Sequence, residues 1–365
     1  MRYRPALDHI APYVQGKPAP VRETPTYKLS SNENPYQPLP SVIAAMESCL
    51  ATVNRYPSMG ANELVAALAA ALTAEAATPV VPDQIVLGAG SVEIVSALIR
   101  AVAGEGDEVV YAWRSFEAYP SLVYGAGATP VEVPLTDDLA HDLPAMAAAI
   151  TPRTRCVIVC NPNNPTGTVI AAEDFAAFMT QVPGDLPVVL DEAYRQFNQD
   201  ASSPDGLKLL ARYPNLVVCH TFSKAYGLAG LRIGYMAGRR ELAEQVRKLV
   251  IPFGVSDLAQ KAALASLAAE DELGERVARI VAARRAVEEE LAEQGWQTPA
   301  SQANFIWLPT GEATEQAAPV LDDAGIVARV FPGDGIRVTI AEPESLPLLV
   351  DAAAKVYKVL HTNAA

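Results

Sequence analysis

Two hydrophobic periods alternate along the first two thirds of the chain. Short apolar runs at 84–87, 108–112, 129–133, 156–160, 188–190, 216–220 and 233–237 are too brief for buried helices and read as strands. Between them lie longer segments with helical spacing, clearest over 91–102 and 171–181. Strands alternating with helices from about 84 to 245 predict an α/β fold, with a mostly parallel seven-stranded sheet covered by helices. Beyond Pro252 the pattern changes to long helices over 256–269 and 272–294, short strands over 303–308, 327–330 and 337–340, and a closing helix over 344–360. These spans predict a large domain of residues 41–245 and a smaller α/β domain built from 1–40 and 246–365. In the alanine-rich stretch 61–77, Leu64, Leu68 and Leu72 recur every fourth residue, as in an ordinary amphipathic helix. Pro5, Pro12, Pro18, Pro20 and Pro25 predict an extended N-terminal arm.

Composition narrows the class. At 365 residues and 50% hydrophobic content, the chain holds enough apolar material for two cores. Its formal net charge of −14 argues against nucleic-acid or anionic-membrane partners, because an acidic surface repels phosphate. The apolar stretch 64–72 is far short of the ~20 residues a bilayer span requires. Arg2, Arg4 and Asp8 leave no apolar signal-peptide core at the start, so a soluble cytoplasmic enzyme is expected. Cys49, Cys156, Cys160 and Cys219 show no metal-type pairing and read as buried free thiols. No metal is expected.

The chemistry centres on Lys224. It follows the apolar run 216–218 among hydroxyls and small residues, where a strand ends, and is a candidate Schiff-base amine. Arg232 can lower the pKa of that amine or grip a phosphate, and Thr221 and Ser223 add hydroxyl donors. Pyridoxal 5'-phosphate (PLP) requires that combination. Asp191 ends the strand-like run 188–190, and carboxyl ends of strands are where open α/β sheets bind ligands. A carboxylate there can keep a pyridine nitrogen protonated, and Tyr194 can present a phenol to the ring oxygen. Gly88, Ala89, Gly90 and Ser91 join a strand to a helix and aim backbone N–H groups at an anion.

Several runs together resemble the histidinol-phosphate aminotransferase family of fold-type I, class II PLP-dependent enzymes, closest to its aromatic (phenylalanine) branch. They are Ser31 to Pro35, Asn54 to Pro57, Trp113 to Pro120, Asn161 to Gly167, Asp191 to Tyr194, Thr221 to Tyr235, Ser301 to Leu308 and Gly335 to Thr339. The resemblance implies a homodimer with shared active sites. It implies Lys224 as the cofactor-bearing lysine and proton carrier, Asp191 on the ring nitrogen, Asn164 and Tyr194 on the ring oxygen, and Phe116 stacked on the ring. Gly90, Ser91, Val92, Thr221, Ser223 and Arg232 would hold the phosphate, with Tyr56 reaching in from the other subunit. Related enzymes often carry an acidic residue where Val92 stands, so only its backbone is expected to contribute. Tyr13 and Asn34 would line the substrate pocket, Arg337 would hold the substrate carboxylate, and Arg329 a distal anionic group. Phe116, where the histidinol-phosphate branch usually has tyrosine, favours phenylalanine and phenylpyruvate, with tyrosine as a further aromatic substrate and 2-oxoglutarate and glutamate as the other pair. Histidinol phosphate is the alternative substrate. Amino-acid phosphate decarboxylation and a ligand-sensing regulator are further alternatives on the same fold.

Overall fold

A computed structural model describes residues 1–10, 12, 16 and 25–362. Its strands, in chain order, are β1 (Tyr27–Lys28), β2 (Ile85–Gly88), β3 (Glu108–Trp113), β4 (Thr129–Pro134), β5 (Thr154–Cys160), β6 (Val188–Asp191), β7 (Leu216–Thr221), β8 (Gly234–Gly238), β9 (Phe305–Leu308), β10 (Ile326–Val327), β11 (Arg329–Phe331) and β12 (Gly335–Thr339). Seven of them form one sheet in the order β2-β8-β7-β6-β5-β3-β4, in which only β8 runs against the rest. Every residue of β6 and β7 is buried, which is why both read as unbroken apolar runs: helices cover the two faces of the sheet. Helix Ser91–Val102 packs Ile94, Val95, Leu98 and Ile99 onto one face. Helix Asn62–Glu75 buries Leu64, Leu68 and Leu72 at the expected spacing of four.

A second core lies around the antiparallel sheet β11-β12-β9 and helices Glu270–Glu293, Thr314–Asp323 and Ser345–Thr362. The chain from Leu29 to Asn32 is stitched to that sheet: Thr339 N–H donates to Leu29 O at 2.9 Å, and Asn32 N–H to Thr339 Oγ1 at 2.9 Å. Helix Asp257–Leu267, expected with the small domain, instead buries Ala259, Ala262 and Ala263 in the first core. The second core picks up at Val277, inside the next helix.

Two other expectations differ in detail. Pro5–His9 forms a 3-10 helix instead of extended chain, because proline at its start presets φ and the segment is tied down. Arg4 donates to Gly125 O at 2.7 Å, and His9 stacks on Tyr124 with ring centroids 5.2 Å apart. The strand expected over 327–330 is two short strands divided at Ala328, where the chain leaves β1 as its partner and joins β12.

Candidate active site

The carboxyl ends of the parallel strands converge on one edge of the sheet. Register sets Gly88 and Thr221 on either side of Gly234, and Cys160 beside Asp191. A cavity of about 860 Å³ opens there. Its walls include Ala89, Ser91, Val92, Phe116, Asn164, Asp191, Tyr194, Thr221, Ser223, Lys224 and Arg232 from the large sheet and its loops, Ser30 to Glu33 from the N-terminal segment, and Arg329 and Arg337 from the second sheet.

Lys224 lies three residues past β7 and points its Nζ at Ser31 O, 3.1 Å away, and over the Tyr194 ring at 5.8 Å. Burial first, then the Arg337 guanidinium and more weakly Arg232, pull its ammonium down to about 7, against an opposing pull from Glu33. The residue is thereby an amine that is substantially neutral at physiological pH.

Asp191 is 4% exposed. Its Oδ2 accepts a 2.8 Å hydrogen bond from the Tyr119 hydroxyl, whereas Oδ1 is buried with no hydrogen-bond partner. Burial lifts its carboxyl to about 6, even though Tyr119 and the Ala193 N–H favour the ionised form. A buried acceptor left open on the wall of a polar cavity is costly unless a donor from a ligand meets it. Tyr194 accepts from Asn32 Nδ2 at 2.9 Å, and burial holds its phenol protonated.

On the opposite flank the turn into helix Ser91–Val102 has no side-chain cap, which leaves its N-terminal N–H groups open to an anion. Gly90 has φ +81°, and a Cβ there would collide with the Arg232 guanidinium. Arg232, itself left-handed at φ 53°, donates to Ser223 Oγ at 3.3 Å and to Ala229 O at 3.1 Å. Cation, hydroxyls and helix terminus thus form a cradle suited to a phosphate group. Glu93, in the first helical turn, keeps its carboxylate on the backbone N–H groups of Ala89 and Ile251. Arg337 donates to Asn164 Oδ1 and, at 2.8 Å, to Ser30 O, and lies over the rings of Phe305 and Phe331.

Comparison with known proteins decides what this constellation belongs to. Residues 24–352 match the family model described as aminotransferase class I and II. The chain belongs to that family. Among its relatives, a protein of Streptomyces avermitilis named aromatic amino acid aminotransferase is 48% identical over 359 residues, 98% of each chain. A Thermobifida fusca protein of the same name is 51% identical over 342 residues, 93% of each. The solved histidinol-phosphate aminotransferase of Sinorhizobium meliloti, in complex with pyridoxal-5'-phosphate, superposes with a TM-score of 0.85 at 29% identity, covering 98% of both chains.

Within this aminotransferase, some expected residues lie elsewhere. Asn34 does not line the cavity: its Nδ2 donates to the carbonyls of Lys224 and Ala225 at 3.2 and 3.0 Å, and its Oδ1 accepts from Tyr36 N–H. It therefore braces the lysine loop, and Asn32, two residues earlier in the same run, is the asparagine that faces the site. Tyr56 is 82% exposed and stacked on Phe253 at 4.6 Å, off the cavity of its own chain. Tyr13 falls outside the described residues. Arg329 reaches the cavity wall but is held in a two-bonded pair by Glu117, Nε to Oε2 at 3.0 Å and Nη2 to Oε1 at 2.7 Å.

Sequence reasoning missed Tyr119, Glu117 and a buried relay behind the site. In that relay the His220 ring bridges Glu192 Oε2 at 2.8 Å and the Tyr235 hydroxyl at 2.9 Å. Tyr119 and Glu117 stand inside a run already singled out for Phe116, but no periodic pattern links them to Asp191 or Arg329. No helix among the described residues is long and apolar enough to cross a membrane.

Proposed function

We propose that this aminotransferase uses PLP to exchange an amino group between an aromatic amino acid, with phenylalanine and phenylpyruvate as the leading pair, and 2-oxoglutarate or glutamate. The observation that carries the cofactor assignment is the open Oδ1 of buried Asp191 on the wall of the cavity that also holds the softened Lys224 amine. When bound, PLP supplies an aldehyde that condenses with amines and a ring that accepts the electron pair left at the substrate Cα.

The chain's own residues do the rest. Lys224 would provide the amine that holds the cofactor, and its Nζ would take the proton away from the substrate Cα. Asp191 gives the ring nitrogen a carboxylate partner, while Asn164 and the Tyr194 hydroxyl donate toward the ring oxygen. Phe116 covers the ring face, and Gly90, Ser91, Val92, Thr221, Ser223 and Arg232 surround the phosphate. Arg337 holds the substrate carboxylate in its planar fork. The relatives' names and Phe116 in the cavity wall support an aromatic substrate.

A homodimer with shared active sites fits the exposed apolar side chains Leu50, Val53, Tyr56 and Met59 together with Ile251 and Phe253. Tyr56 on that surface would reach the other subunit's phosphate. Four buried free thiols fit a reducing cytoplasm. We retain the division into a large cofactor domain and a small domain, and draw its C-terminal boundary inside helix Glu270–Glu293 because the two cores part there.

Lys224→Ala tests the reading. It should abolish turnover with every amino acid pair and remove the visible absorbance of covalently held PLP; a variant keeping both would refute the assignment. The structural likeness to a histidinol-phosphate aminotransferase favours one second reading, histidinol phosphate as substrate. A kcat/KM for the phosphate ester exceeding that for phenylpyruvate by about tenfold would install it.

A further inference from the structure

We propose that Glu117 is a specificity-determining residue, which occupies Arg329 and thereby biases the site against substrates that carry a second anionic group. This deepens the aromatic reading above and rests on it.

The run from Trp113 closes on the β11–β12 hairpin through two ion pairs. Arg114 meets Asp334 at 2.6 Å, and Glu117 meets Arg329 through two parallel hydrogen bonds. The first pair is the more exposed; in the second the side chains of Arg329 and Glu117 are 14% and 26% exposed, on the cavity wall. Arg329 stands directly opposite Arg337 across the antiparallel ladder. Side chains at such paired positions project from the same face with Cβ atoms about 5 Å apart. A substrate whose α-carboxylate sits on Arg337 would therefore bring a distal carboxylate or phosphate toward Arg329.

Glu117 already fills that place. Its carboxylate matches the guanidinium edge, as a substrate carboxylate would, and it repels a second anion arriving beside it. A dicarboxylic acid, the 2-oxoglutarate or glutamate of the other half-reaction included, must displace Glu117 and leave that carboxylate in search of another donor, which raises its KM without barring it. A phenyl ring makes no such demand: it carries no charge to compete with Glu117 and meets a pair that is already neutralised. The discrimination comes as much from the obstacle to the diacid as from attraction for the ring.

A purely structural reading makes Glu117–Arg329 a latch between the two domains, and the two readings separate in kinetics. Loss of a latch weakens turnover of all substrates together. Loss of a specificity device changes their ratio, and does so through KM more than kcat.

The test compares holoenzymes carrying E117Q, E117A and E117D with the parent, using 2-oxoglutarate and phenylpyruvate as acceptors. It also measures binding of maleate, an unreactive diacid, through the absorbance of the bound cofactor. For E117Q we expect the ratio of kcat/KM for 2-oxoglutarate over phenylpyruvate to rise about tenfold, with maleate binding tightening by a similar factor. E117A should move both in the same direction and covers the case in which E117Q fails to fold. E117D, which keeps the charge, should hold the parental ratio to within about twofold. An unchanged ratio with unchanged maleate affinity, or a ratio shifted toward phenylpyruvate, overturns the proposal. A parent enzyme inactive with both acceptors would sink the aromatic aminotransferase reading itself, whereas an active parent with an indifferent E117Q sinks only the role of Glu117.

Discussion

Asp191→Asn isolates the electrostatic cost of a prepared cofactor site. The folded chain lifts the Asp191 carboxyl from 3.8 to about 6, chiefly by burial. At about 1.4 kcal/mol per pH unit, the ionised carboxylate destabilises the cofactor-free fold by roughly 3 kcal/mol at neutral pH. The sign follows from proton uptake: a folded state with the higher pKa binds the proton more tightly, so this contribution favours folding at low pH. It is lost as pH rises from the unfolded value toward 6 and is constant above. Asparagine preserves the shape and the acceptor for Tyr119 but does not titrate. Its amide adds a buried donor, a penalty that is independent of pH.

The diagnostic is thus the slope of the difference between the two proteins. Relative to wild type, cofactor-free Asp191→Asn should gain roughly 2 kcal/mol between pH 4 and 7.5, with about 1.4 kcal/mol of that above pH 5. Urea midpoints of both stripped proteins, measured side by side across that range, give the slope, since all other titrating groups cancel in the comparison. Affinity for PLP should fall in the same variant. A stability difference that is flat with pH would refute the account of Asp191 as a buried, poorly satisfied carboxylate.

Two further outcomes follow from the same cavity. If the Lys224 amine titrates near 7, its neutral fraction, and with it the rate at which stripped protein captures PLP, should climb about tenfold from pH 6 to pH 8 and then level off, as followed by stopped-flow absorbance; a rate still rising steeply to pH 10 would contradict the depressed value. Gly90→Ala forces a side chain onto a left-handed residue and into Arg232, so it should cost roughly 1–2 kcal/mol of stability and weaken PLP retention at least tenfold by equilibrium dialysis.

The residues that made the fold readable are those whose surroundings are uniform. β6 and β7 are covered on both faces, so their burial shows in the sequence as continuous Val, Leu and Cys; Leu64, Leu68 and Leu72 bury one stripe and show as a period of four. The site was readable for a different reason: Asp191, Thr221 and Gly88 stand at ends of strands, and strand ends can be located from the runs that precede them. What escaped depends on partners distant along the chain. Tyr119 is 72 residues from Asp191 and Glu117 is 212 from Arg329, and neither pairing leaves a periodic trace. The Asn34 amide, expected in the substrate pocket, is claimed instead by the backbone carbonyls of Lys224 and Ala225. The 3-10 turn Pro5–His9 likewise owes its shape to Gly125 and Tyr124, which no local pattern announces.

The two groups that prepare the cavity are strained in opposite directions. Asp191 resists ionising below about 6, and Lys224 resists protonation above about 7. Between those values both carry charge that burial disfavours, with Oδ1 of Asp191 left without a donor and Lys224 further opposed by Arg337. On the proposed reading Asp191 would find its missing donor in the pyridine nitrogen of bound PLP, and the Lys224 amine would be taken up in holding the cofactor. Binding therefore draws on two desolvation penalties already built into the empty fold, in addition to the phosphate contacts. On this physics the cofactor should stabilise the protein most near neutral pH and progressively less toward acid, where a protonated Asp191 no longer needs a partner.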